Sequence, residues 1–96
     1  MISFDQHVEI SQEVLSQEVD GETVILDMRS ENYFGLDEIG TDIWRLLKEQ
    51  KTLQEVFDIL LDEYEVEEQV LRQHLEDHIS ELCKAELISL KPVDQR

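Results

Sequence analysis

Ninety-six residues make one domain with room for a single modest core. Eight basic against 24 acidic side chains give a formal net charge of −16, which excludes recognition of nucleic-acid phosphates and disfavours attachment to an anionic membrane. The 41% hydrophobic fraction, regularly spaced, argues against disorder.

Cys83 is the single cysteine, so no internal disulfide forms, and a reducing compartment is indicated. The opening MISFDQHVEI lacks a basic region followed by an apolar run, so it does not read as a secretory signal. No apolar stretch reaches the ~20 residues that span a bilayer. A cytoplasmic location is expected.

The first third predicts strands. Phe4 to Ile10 alternates weakly and reads as a short strand. Val14–Val19 and Thr23–Met28 flank Asp20-Gly21, a strong signal for a two-residue hairpin, because both turn positions need positive φ. Along the second run, Val24, Leu26 and Met28 share one face and Thr23, Ile25 and Asp27 the other. After the polar turn Arg29-Ser30-Glu31, Asn32 to Leu36 forms a third strand, with Phe34 and Leu36 on one face and Tyr33 and Gly35 on the other.

The rest predicts three helices. Asp37 caps the first, whose apolar stripe is Ile39, Ile43, Leu46 and Leu47 with Trp44 beside it. Thr52 and Glu55 form a capping box ahead of Leu53, Val56, Phe57, Leu60, Leu61 and Tyr64. The third helix runs from about Glu67 to Ala85 on a stripe of Leu71, Leu75, His78, Ile79 and Leu82. Pro92 and a polar tail close the chain.

The expected fold is therefore one α+β domain over residues 1–96. A three-stranded antiparallel β-meander occupies about 4–36, three α-helices about 38–86, and a short tail follows. This order resembles a winged helix-turn-helix. The third helix, however, carries six carboxylates, Glu67, Glu68, Glu76, Asp77, Glu81 and Glu86, against Arg72 and Lys84. A DNA-reading helix needs the opposite balance.

The string V-I-L-D-M-x-S-x-x-Y-F-G-L-D-E-x-G-x-x-I-W-x-L-L from Val24 to Leu47 is similar to the PqqD-like family. Lys51–Val56 and Glu81–Ile88 look like its later segments. Members are recognition elements for ribosomally made, post-translationally modified peptides (RiPPs). The resemblance implies a module without catalysis or cofactor that holds the leader of a precursor peptide as an extra strand beside the third helix. It also implies a separate maturation enzyme: a leader peptidase in a lasso-peptide pathway, or a radical SAM enzyme as for PqqD itself. The chain lacks the arginine-rich, proline-containing start of PqqD and is more acidic, which favours the lasso-pathway alternative.

On this reading Asn32, Tyr33, Phe34, Gly35 and Leu36 form the docking edge, where unpaired backbone groups receive the peptide. On the third helix Val70 lies among acids at the flank of the apolar stripe, where a groove wall belongs. Val70, Leu71, His74, Asp77 and His78 form that wall. His74 and His78, four apart, have a spacing that can hold zinc, but no third ligand is evident and no metal is expected. No nucleophile–base pair, phosphate-binding loop or dinucleotide fingerprint appears. Two rival functions remain in view: an acidic adaptor that docks by its helical face, and a small metal-dependent hydrolase built on His74 and His78.

Overall fold

The computed structural model describes residues 4–49 and 52–91. Its elements are β1 (His7–Ile10), β2 (Val14–Val19), β3 (Glu22–Asp27), β4 (Asn32–Leu36), α1 (Glu38–Lys48), α2 (Leu53–Glu63), α3 (Glu68–Lys84) and β5 (Ile88–Lys91). The class is α+β, as the sequence indicates.

β2, β3 and β4 form an antiparallel sheet in that order. Asp20 (φ 54°) and Gly21 (φ 81°) make the left-handed turn between the first two strands, and Val19 pairs with Glu22 across it. Four residues separate β3 from β4, with Glu31 at φ 63° and its N–H returning 2.7 Å to the Asp27 carbonyl.

The least apolar side of β3 is the one that faces inward. Thr23, Ile25 and Asp27 are buried, while Val24 and Met28 are exposed. The two buried polar groups are served. The Thr23 hydroxyl meets that of Thr41 on α1 at 2.8 Å, and Asp27 accepts from its own turn. Ile25 then joins the core contributed by the helices: Ile43, Trp44 and Leu47 of α1, Val56, Phe57 and Leu60 of α2, and Leu71, Leu75, Ile79 and Leu82 of α3. Each such side chain contributes roughly 1.5–3 kcal/mol on burial.

The caps follow the sequence. Asp37 Oδ1 accepts from Gly40 N–H at 2.8 Å. Thr52 and Glu55 satisfy each other's backbone N–H groups at 3.1 and 2.8 Å. Arg45 of α1 reaches back to the Glu18 carboxylate on β2, with Nε 3.0 Å from Oε2.

Two expectations are corrected. The strand predicted over residues 4–10 is confined to His7–Ile10, and it pairs outside the meander. The end of the chain is not a polar tail directly after the helices: α3 stops at Lys84, and Ile88–Lys91 forms β5, antiparallel to β1 in a separate two-stranded sheet. A reversal at the end of α3 makes this possible. Glu86 adopts φ 62°, and Leu87 N–H returns 3.1 Å to the Leu82 carbonyl, the bond of a Schellman cap. Leu87 and Ile88 thereby enter the core. Pro92, read as ending the fold, lies outside the described residues.

Candidate functional site

β4 is an edge strand of its sheet, and the ladder dictates which of its backbone groups stay free. In an antiparallel pair, residues alternate between those that exchange N–H···O=C bonds with the partner and those whose backbone groups point the other way. The two-residue turn makes Val19–Glu22 a bonded pair, and Met28 N–H bonds the Glu13 carbonyl at 2.8 Å in the same phase. Even-numbered residues of β3 therefore bond β2, and odd-numbered ones bond β4. Through the register Thr23–Leu36, Ile25–Phe34 and Asp27–Asn32, the backbones of Asn32, Phe34 and Leu36 are occupied. Those of Tyr33 and Gly35 point away from the sheet.

α3 runs beside this edge, and Gly40 fixes how close it comes. A Cβ built on Gly40 would lie 3.2 Å from Leu36 Cβ and 3.3 Å from His78 Cε1. A side chain there would have to push β4, the start of α1 or α3 aside by a few tenths of an ångström. At the other end of β4, Asn32 and Phe34 face Ala85 and Glu86 across a cleft of about 390 Å³.

That end is pinned by Arg29. Its backbone N–H and Nε donate to Asp27 Oδ1 at 3.0 and 3.4 Å. Nη2 donates to the Glu86 carbonyl at 2.9 Å, and Nη1 lies 3.4 Å from the Glu86 carboxylate. The β3–β4 turn is thus tied to the last turn of α3, at a residue whose left-handed backbone is costly without a glycine. Burial alone would raise the Asp27 pKa, but the Arg29 backbone N–H, the Arg29 guanidinium and the Ser30 hydroxyl together hold the carboxyl below its ordinary value. A wider concavity of about 920 Å³ lies beyond this tie, against β1 and the end of α1, and shares Arg29 and Glu86 with the smaller cleft.

The predicted site residues divide by position. Tyr33 is 70% exposed and Phe34 half-buried at the cleft, whereas Leu36 is a core side chain. On α3, Leu71 also points into the core. Val70, His74 and Asp77 are exposed, and Asp77 accepts from Gln73 Nε2 at 2.9 Å. His78 is half-buried against Leu36 and Gly40, and its Nε2 is buried with no hydrogen-bond partner among the described residues. Burial lowers its pKa, opposed by the nearby Asp37 and Glu81 carboxylates.

Sequence reasoning missed Ala85, Glu86 and the Asp27–Arg29–Ser30 turn. Ala85 stands seven residues after His78, close to the same helical line, a signal that could have found it. Nothing in the sequence pairs Arg29 with Glu86. Among the described residues, no group of three or more His, Cys, Asp or Glu side chains is placed to hold a metal ion. No described helix is long and apolar enough to cross a membrane.

A solved structure titled "TbiB1 in Complex with the TbiA(beta) Leader Peptide" is similar to this chain, with 37% sequence identity and a TM-score of 0.81 over 84% of this chain and 94% of the other. No curated protein matches. The family model described as coenzyme PQQ synthesis protein D (PqqD) matches residues 22–88, from the start of β3 to the start of β5, and so takes in the free edge, the cleft and α3: the chain belongs to the PqqD family.

Proposed function

We propose that this protein is a non-catalytic recognition module for a RiPP precursor. It binds the leader as an added antiparallel strand on β4, in the cleft beside α3, and presents the precursor to a separate maturation enzyme. The observation that carries this reading is the edge of β4, where the backbone groups of Tyr33 and Gly35 point away from β3, beside the half-buried Phe34, His78 and Ala85. Strand addition uses such an edge for affinity and the pockets under alternate side chains for specificity. The similar TbiB1, solved with a leader peptide, supports it. The scaffold then reads as a winged helix-turn-helix whose wing has become a peptide edge.

A leader peptidase of a lasso-peptide pathway is the favoured enzyme, because the chain departs from PqqD itself in its opening segment and its acidity. Service to a radical SAM enzyme is the second reading. The neighbouring genes separate the two.

Hydrogen exchange with the leader of the precursor encoded beside this gene tests the docking mode. New protection is expected at the Tyr33 and Gly35 amides and not at Phe34 or Leu36, whose N–H groups face β3, nor at Asn32, whose N–H reaches Ser30 Oγ at 3.4 Å. Protection confined to α3 would instead support an acidic adaptor that docks by its helical face. The mass of the full precursor should stay unchanged when it is incubated with this protein alone.

A further inference from the structure

The outer face of the β2–β3–β4 sheet is more apolar than the inner one, and no described residue covers it. Leu15, Val24, Met28 and Tyr33 are 57%, 42%, 44% and 70% exposed. The register places them together: Leu15 is opposite Leu26, Leu26 opposite Tyr33, and Val24 opposite Gly35. Cross-strand partners share a face, so these side chains form one continuous patch. A Cβ on Gly35 would meet nothing within 4 Å, so the patch is open up to the free edge. Contiguous exposed apolar surface of this kind marks an interaction site.

Charge decides the kind of partner. The patch is bordered by exposed Glu13, Asp20, Glu22 and Glu31, on a chain of net charge −16. A second copy would bring like charges into apposition, which costs association. A different protein with an apolar centre and a Lys/Arg rim complements both features.

We propose that this outer sheet face is the docking surface for the maturation enzyme, which meets it with an apolar, basic-rimmed surface, and that a leader held on β4 enlarges it. The proposal rests on the strand-addition reading for its second half. A strand added at β4 continues the pleat, so every other leader side chain lies flush with Tyr33 and the patch. The loaded module then offers the enzyme a wider surface than the empty one, and the enzyme discriminates between them without touching the cleft.

The test uses the purified maturation enzyme encoded beside this gene and biolayer interferometry on the full chain, with and without saturating leader. Leu15→Ser combined with Val24→Ser should weaken enzyme binding about tenfold or more, while leader affinity, read by anisotropy, stays within about twofold. Met28→Ser alone serves as a second variant should the double one fail to fold. Leader should tighten the wild-type enzyme complex at least about fivefold. Unchanged enzyme affinity in the folded variants, or no binding of the enzyme to wild type, overturns the proposal. Loss of a wild-type dimer in the variants, seen by sedimentation, overturns it in favour of self-association. Enzyme affinity indifferent to bound leader overturns the enlargement. If leader does not bind wild type but enzyme binding is patch-dependent, strand addition fails and the docking face stands.

Discussion

Replacing Gly35 by proline separates the free edge from the fold. Its N–H is one of the two on β4 that point away from β3, so its loss removes no ladder bond within the protein. Proline is tolerated on an edge strand when the missing N–H faces outward. The Cβ direction is open, so an added Cβ meets no neighbour, and the ring's Cδ takes the place of an N–H that faces the free edge. Stability should therefore change little, within about 1 kcal/mol. Leader binding should suffer, because one peptide carbonyl would lose its partner inside a newly formed ladder. An acceptor left unsatisfied costs about 1–3 kcal/mol, or about 5- to 150-fold in affinity. Gly35→Ala keeps the N–H and should bind normally. Phe34→Pro, one residue earlier, removes an N–H that bonds Ile25 and should destabilise the sheet itself. Anisotropy of a labelled leader against each variant, with circular dichroism melts as the fold control, reads all three. Wild-type affinity in a folded Gly35→Pro protein would refute the assignment of this edge; equal loss in Gly35→Ala would show that side-chain space, not the backbone donor, matters.

Three further outcomes are expected. Thr23→Val or Thr41→Val alone leaves a buried hydroxyl unpartnered and should cost about 1–3 kcal/mol, whereas the double variant should recover much of it; urea unfolding of the four proteins closes the cycle. The Asp27 carboxyl is held below its ordinary pKa of 3.8, so its ionised form stabilises the fold fully above the unfolded value, and that contribution is lost as pH falls through the lower folded value. The stability gap between wild type and Asp27→Asn should therefore be steady near neutrality and close in that acid range, as urea midpoints from pH 7 downward would show. If basic leader residues are drawn by the net charge of −16, stopped-flow association should slow as salt shortens the Debye length from about 10 Å at 0.1 M to about 3 Å at 1 M; Asp77→Lys should flatten that slope, and a salt-independent on-rate would confine recognition to apolar contacts and strand pairing.

The meander and helices were legible because each carries a local signal: Asp20-Gly21 for the hairpin, Asp37 and Thr52-x-x-Glu55 for the helix starts, and a 3.6-residue period along α2 and α3. β5 was not legible. Its four residues are too few for a period, and its partner β1 lies at the far end of the chain. The edge at 32–36 could be placed from order and resemblance. The alternation that frees Tyr33 and Gly35 alone depends on the ladder's phase, which the turn sets but the side chains do not announce. On α3 the stripe marks which residues turn inward: Leu71 is buried with it, while Val70, His74 and Asp77 on its flank are exposed. Arg29 was read only as a turn residue, because its tie to Glu86 spans 57 positions.

The pairing of β1 with β5 has a consequence for synthesis. His7 is opposite Lys91 and Ile10 opposite Ile88, so β1 leaves the ribosome well before the strand it pairs with. At about 5–20 residues per second, that interval is roughly 4–17 s. The hairpin, β4 and α1 draw mainly on neighbours made within a few tens of residues and can assemble meanwhile. Val8, which is almost fully buried in the finished protein, meanwhile lacks its opposite strand, although α1 and the start of α2 already stand against β1. A nascent chain stalled before Leu87 would therefore hold the three-stranded sheet largely built, with β1 set against α1 and the start of α2 but its β5 side unpaired.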